Sequence, residues 1–147
     1  MFRTSIKVRF SDEDHAQVVY FPRFFHFFHT VFEDFFESEG LPYHLAFKEG
    51  LAWPAVHARC DFLVPLRFGE RLDVELGVLR VGKSSLSLAY HAWVGERLCA
   101  RAQLVVVCID LSSFRPLPIP NKYRAIFEKH LVEGEVAEGL GQSPGKL

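Results

Sequence analysis

Apolar and polar residues alternate from the start of the chain, with Ile6, Val8 and Phe10 set between Lys7, Arg9 and Ser11. That period of two predicts a strand ending near Ser11, with one face inward and the other in water. The period then lengthens. From Phe21 to Glu39, Phe24, Phe25, Phe28, Phe32, Phe35 and Phe36 recur at intervals of three and four, and Gly40 and Pro42 close the run. This predicts one long helix, with Pro22 in its first turn, where a missing N–H costs nothing. Its other stripe carries Arg23, His26, Thr30, Glu33 and Glu37, so the helix is amphipathic and its charges exclude a membrane span. At ~1.5 Å per residue it would reach on the order of 28 Å, the width of a small domain.

Beyond a loop from about Tyr43 to Trp53 the period returns to two. Val56, Ala58, Cys60, Phe62 and Val64 line one strand; Leu72, Val74, Leu76 and Val78 line the next. Leu86, Leu88, Tyr90, Ala92 and Val94 make a third, and residues from Leu98 through Ile109 a long apolar fourth. Short turn signals separate them at Pro65 to Glu70, Gly82-Lys83 and Gly95-Glu96, so consecutive strands are expected to form an antiparallel meander. Tyr123, Ile126, Phe127 and Leu131 suggest a short helix after Pro116, Pro118 and Pro120. The order of elements is that of an α+β fold, one helix laid on an antiparallel sheet.

Length and composition narrow this further. The chain has 147 residues, 49% hydrophobic and 24% charged, enough for one domain over 1–132 and too few for two. The glycine-rich stretch 133–147 is expected to be a flexible tail. A net charge of -1 without a Lys/Arg run predicts neither a nucleic-acid nor an anionic-membrane partner. Lys7 and Arg9 interrupt the N-terminal segment as no signal peptide would be interrupted, so a cytoplasmic location is expected. Cys60, Cys99 and Cys108, an odd number without a CxxC pair, read as core thiols.

The chemistry concentrates in SDEDHAQVVYFPRFF, where Asp12 and Asp14 precede the long helix. A helix N-terminus carries about half a positive charge and free N–H groups, which can polarise a carbonyl placed against it. A nearby carboxylate can then attack that carbonyl or activate water. Thioester hydrolysis needs both parts.

Asp-x-Asp, then Val-Val-Tyr-Phe-Pro and the aromatic helix, resemble the signature of the 4-hydroxybenzoyl-CoA thioesterase family of hot-dog proteins, over about Lys7 to His130. The resemblance implies a hot-dog fold, a long central helix wrapped by a five-stranded antiparallel sheet. It implies an acyl-CoA substrate, aromatic rather than short-chain, with Asp14 as nucleophile or general base. It also implies that the backbone N–H of Phe21 contacts the thioester oxygen and that Tyr20, Pro22 and His57 shape the pocket. The turn RVGKSS resembles the family's CoA-binding segment, which assigns Arg80, Lys83 and Ser84 to the nucleotide phosphates; Lys, Arg and a hydroxyl suit phosphate. No metal or redox cofactor is implied, since CoA belongs to the substrate, and a homodimer or homotetramer is. The chain departs from the family in His15 and in Gln17, which stands where the family commonly has Gly. If that site needs a positive φ, a non-Gly residue costs around 1 kcal/mol there.

Other motifs are weaker. Gly77 to Ser84 satisfies GxxxxGK[ST], but Ser85 to Val94 reads as a strand where a phosphate loop must open a helix. GQSPG near the C-terminus lacks the strand and helix that a nucleophile elbow requires. His26, His29 and Glu33 share a helical face without the second helix of a dimetal bundle. His57 reads equally as an outward-facing strand residue. Asp12 reads as an accessory acid or, in preference, as a solvated loop acid. Two rivals remain. One is a hot-dog dehydratase or hydratase relying on His57 or His15, the other a non-catalytic acyl-CoA binder.

Overall fold

The long helix forms where the phenylalanine spacing places it. In the computed structural model, which describes residues 1–134, helix α1 spans Arg23–Ser38, its start two residues beyond the expected one because Phe21 and Pro22 belong to the turn before it. Phe24, Phe27, Phe28, Val31, Phe32, Phe35 and Phe36 form its buried face, each contributing about 1.5–3 kcal/mol by leaving water. His26, His29 and Glu33 lie exposed on the other. Gly40, at φ 74°, ends the helix in the left-handed conformation, and Leu41 N–H donates to Phe36 O at 3.0 Å as in a helix C-cap.

Around α1 curls a five-stranded antiparallel sheet. Its strands are β1 (Phe2–Lys7), β3 (Ala55–Phe62), β4 (Arg71–Val81), β5 (Ser85–Val94) and β6 (Arg97–Val107), ordered β1-β4-β5-β6-β3. A two-residue strand β2 (Leu51–Ala52) pairs with β7 (Ile109–Asp110) beside it. Leu72, Val74, Leu76, Val78, Leu86, Leu88, Tyr90 and Ala92 are all buried against α1, as alternation predicts.

Four expectations change. The meander holds only for β4, β5 and β6; β3 pairs with β6 at the far edge, so Pro65 to Glu70 is a crossover between distant strands. Strand β1 ends at Lys7, and Phe10 sits 79% exposed in a 3-10 turn over Phe10–Asp12. The loop after α1 contains a short helix α2 (Tyr43–Lys48). The last helix, α3 (Asn121–Glu128), buries Tyr123, Ile126 and Phe127, but Leu131 lies beyond it and exposed.

Past α3 the chain returns to the sheet. Val78 N–H donates to His130 O, and Val132 N–H to Val78 O, both at 2.9 Å. This lays Val132 over Gly77, where any added Cβ would fall 2.7 Å from the Val132 side chain. Glu39 at the end of α1 accepts from Lys129 Nζ at 2.5 Å and pairs with His130 Nε2 at 2.6 Å, pinning the same segment from the helix side. Cys99 and Cys108 are buried and Cys60 half-buried, all three as free thiols. Most of the expected tail, with GQSPG, lies outside the described residues.

Candidate active site

Asp14 occupies a tight hairpin between the 3-10 turn and α1. Its backbone N–H donates to Val18 O at 3.1 Å, Gln17 N–H donates back to Asp14 O at 3.0 Å, and Glu13 bridges to Val19. Closing so short a turn demands a left-handed residue, and Gln17 supplies it at φ 61°. The conditional cost of placing a side chain there therefore applies. The Asp14 carboxylate accepts the Ala16 N–H through Oδ1 at 2.8 Å. Its other oxygen has no hydrogen-bond partner among the described residues, and the side chain is exposed.

Asp12 is not the solvated acid expected from its loop position. It is 5% exposed; Oδ2 accepts from Arg9 N–H at 2.8 Å and Oδ1 from Arg23 Nε at 3.2 Å, while its carbonyl accepts from Tyr20 N–H at 2.9 Å. Arg23 is the first residue of α1, so this carboxylate clamps the hairpin to the helix entrance. No periodicity signals such a role; the acid at a helix entrance with an Arg eleven residues on was its only trace.

Asp14, Tyr20, Pro22, Arg23 and His26 line one open cleft of about 610 Å³. Phe21 projects beside it, 58% exposed, in edge contact with Phe62 of β3 at 5.9 Å. The Phe21 N–H donates no hydrogen bond among the described residues. The structure thus joins Asp14, Tyr20, Phe21 and Pro22 at one end of α1.

It separates them from the remaining candidates. Position 57 stands opposite Val105, after a β-bulge between Ala55 and His57. By alternation His57 shares the outer sheet face with Arg59 and Asp61, and it does not line the Asp14 cleft. Arg80, Lys83 and Ser84 lie around the β4–β5 turn. The Asp14 hairpin adjoins the opposite end of β4, since Val19 N–H donates to Leu66 O at 2.7 Å and Arg67 Nη1 to Gln17 O at 3.4 Å. Along β4 the two ends stand about 33 Å apart.

The carbonyls of the β4–β5 turn are anchored from outside the hairpin. Arg124 Nη2 of α3 donates to Gly82 O at 2.7 Å, Ile119 N–H to Lys83 O and Cys108 N–H to Ser84 O, both at 2.8 Å. With the carbonyls held inward, the amide N–H groups of Lys83 and Ser84 have no acceptor among the described residues. Consecutive N–H groups of this kind, beside a Lys, are the donor type that anion sites use. Arg124 was not foreseen, because its helix is remote in sequence from the turn.

A second cavity, of about 330 Å³, lies further along α1 between the helix, α2 and the sheet, with His29, Phe32, Tyr43, Trp53 and Tyr90 among its walls. Burial, with Glu33 adding to it, pushes the Tyr43 phenol up to about 12. Burial pushes the Tyr90 phenol upward as well. Among the described residues no cluster of three His, Cys, Asp or Glu side chains could hold a metal ion, and no helix is long and apolar enough to cross a membrane.

Residues 8–127 match the family model of the thioesterase-like superfamily. The chain belongs to that superfamily. Its place among the thioesterase-like proteins is as a hot-dog acyl-CoA thioesterase. A 1,4-dihydroxy-2-naphthoyl-CoA hydrolase from Nostoc punctiforme is 33% identical over 132 residues, 89% of either chain. The hydrolase of that name from Synechocystis is 34% identical over 121 residues, covering 80% of this chain and 88% of that one. The crystal structure of a 1,4-dihydroxy-2-naphthoyl-CoA thioesterase from Synechocystis matches with a TM-score of 0.80 at 32% identity, over 86% of this chain and 94% of that one. A gentisyl-coenzyme A thioesterase, 23% identical, shares the thioesterase-like fold with a TM-score of 0.78 over 86% of this chain and 99% of its own.

Proposed function

We propose that this thioesterase hydrolyses an aromatic acyl-CoA to the free acid and CoA, with Asp14 as nucleophile or general base. The relatives are named for a naphthoyl rather than a benzoyl thioester, which makes 1,4-dihydroxy-2-naphthoyl-CoA the first substrate to try and 4-hydroxybenzoyl-CoA the second. The observation that carries the reading is the pairing in one cleft of a carboxylate, one oxygen fixed and the other free, with a helix entrance beside which the Phe21 N–H is unused.

The thioester carbonyl oxygen would sit at the Phe21 N–H, where the helix dipole favours the negative charge that develops on it. As general base, Asp14 takes a proton from water while the hydroxide adds to the carbonyl carbon. The C–S bond then breaks, and the departing CoA thiolate receives a proton. As nucleophile, Asp14 adds directly, expels the thiolate and forms an anhydride that water opens in a second step. Neither route calls for a metal or redox cofactor.

The nucleotide of CoA falls to Arg80, Lys83 and Ser84. Because that turn lies at the far end of β4 from Asp14, one CoA thioester is served by Asp14 of one copy and the turn of another. The free outer edge of β3, next to Phe21 and Phe62, supports antiparallel pairing of two copies there, which makes a homodimer the smallest working unit. A homotetramer would be a pair of such dimers.

Thiol release from a panel of aryl- and alkyl-CoA thioesters tests the reading. Aryl substrates should turn over fastest, and Asp14→Asn should lower the rate at least ~10²-fold. Undiminished release by the variant would refute the role of Asp14.

A further inference from the structure

We propose that Arg23 selects the acyl group, its guanidinium binding a hydroxyl oxygen on the ring carbon next to the one that bears the thioester. The inference rests on the aryl-CoA reading above and adds the ring substituent that the cleft reads.

Three observations carry it. The first is how the guanidinium is held. Its Nε donates to Asp12 Oδ1 at 3.2 Å, and Asp12 is itself 5% exposed, with the Arg9 N–H on Oδ2 and the Tyr20 N–H on its carbonyl. A fixed, buried carboxylate thus orients one edge of the group. The N–H bonds of the two Nη atoms have no acceptor among the described residues, and the side chain keeps 38% exposure. An arginine tied down at Nε is a preformed planar fork, the geometry that meets anionic and acidic oxygens.

The second is where the fork stands. Side chains in an α-helix lean toward its N-terminus, and Arg23 is the first residue of α1. It lines the same cleft as Asp14, and among the residues that do, it is the one whose charge is positive at every assay pH. Two residues before it is the Phe21 N–H, where the proposed function holds the thioester oxygen. The Asp12 carbonyl accepts from Tyr20, so the clamp is tied to the residue directly before Phe21.

The third is the chemistry of the acyl group. A hydroxyl on the neighbouring ring carbon sits about 2.5–3 Å from the thioester oxygen, near enough to hydrogen-bond it. Whatever holds that oxygen at the helix entrance therefore brings the hydroxyl there too. A hydroxyl further round the ring points away. 1,4-Dihydroxy-2-naphthoyl-CoA carries one neighbouring hydroxyl, at carbon 1, and one remote, at carbon 4. A guanidinium is a donor only, so an unsubstituted ring leaves it without an acceptor. Sites that hydrogen-bond a substrate hydroxyl discriminate strongly against analogues without it.

The test compares kcat/KM for 1-hydroxy-2-naphthoyl-CoA, 4-hydroxy-2-naphthoyl-CoA and plain 2-naphthoyl-CoA. Arg23→Lys keeps a charge that pairs with Asp12 but loses the planar fork. In this variant the ratio of the 1-hydroxy to the plain substrate should fall about tenfold from its value in the unaltered protein, while the 4-hydroxy ratio stays within about twofold. Arg23→Gln, neutral and able to donate to Asp12, should lower the 1-hydroxy ratio at least as far. Referring each ratio to the unaltered protein cancels the reactivity that a ring hydroxyl itself confers. A 1-hydroxy ratio that does not move, or a loss shared equally by all three substrates, overturns the proposal and leaves Arg23 as a clamp on Asp12. If no aryl thioester is hydrolysed, the aryl-CoA reading falls separately, and binding of the free acids decides the role of Arg23 without turnover. There 1-hydroxy-2-naphthoate should lose about tenfold more affinity than 2-naphthoate in Arg23→Lys, and equal losses overturn the proposal.

Discussion

Gln17 holds a backbone conformation that few side chains adopt, and it does so next to the carboxylate proposed to act. Left-handed geometry costs a non-glycine residue roughly 1–2 kcal/mol, partly offset because glycine loses more chain entropy on folding. Gln17→Gly should therefore stabilise the protein by about 0.5–1 kcal/mol, read as a higher midpoint in urea unfolding; a lower midpoint would show that the Gln17 side chain, not the turn, governs this loop. At this scale the sequence was legible where a residue's neighbours along the chain define its task. Asp14, Tyr20, Phe21 and Pro22 lie within nine positions and come together in the fold. Asp12 was misread because its partner, Arg23, is reached only after the hairpin folds back. His57 was ambiguous for the opposite reason: a strand residue directly after a bulge can face either way until the register is known.

At the scale of elements, periodicity found every strand longer than two residues and the long helix, most securely α1, β4, β5 and β6, which bury apolar faces, whereas β1 and β3 at the sheet edges are only half-buried. It missed α2, six residues in which Ala46 alone is buried, too short for a stripe to show. It also mistook the β3–β4 connection for a hairpin, since turn residues report that the chain bends but not which strand it joins next. The β4–β5 turn depends on a helix from elsewhere. Arg124 donates to Gly82 O at 2.7 Å, and on the proposed function this contact fixes the turn whose Lys83 and Ser84 meet the CoA phosphates. Arg124→Met should raise KM for a CoA thioester about tenfold, while KM for the matching pantetheine thioester, which lacks the nucleotide phosphates, stays the same. Equal shifts for the two substrates would assign Arg124 to the fold alone.

For the molecule as a whole, one chain carries the Asp14 cleft at one end of the sheet and the β4–β5 turn at the other. On the proposed function each subunit is then a half-tool in two directions, lending its carboxylate to one bound substrate and its Lys83 turn to a second. Two crippled proteins should then repair each other. Subunits carrying Asp14→Asn, mixed and reassembled with subunits carrying Arg80→Ala and Lys83→Ala, would form hybrid pairs in which both lesions fall on one site and the other site is intact. Such a mixture should hydrolyse thioester faster than either parent preparation, and a rate no better than the parents' average would place both halves of the machinery within a single chain.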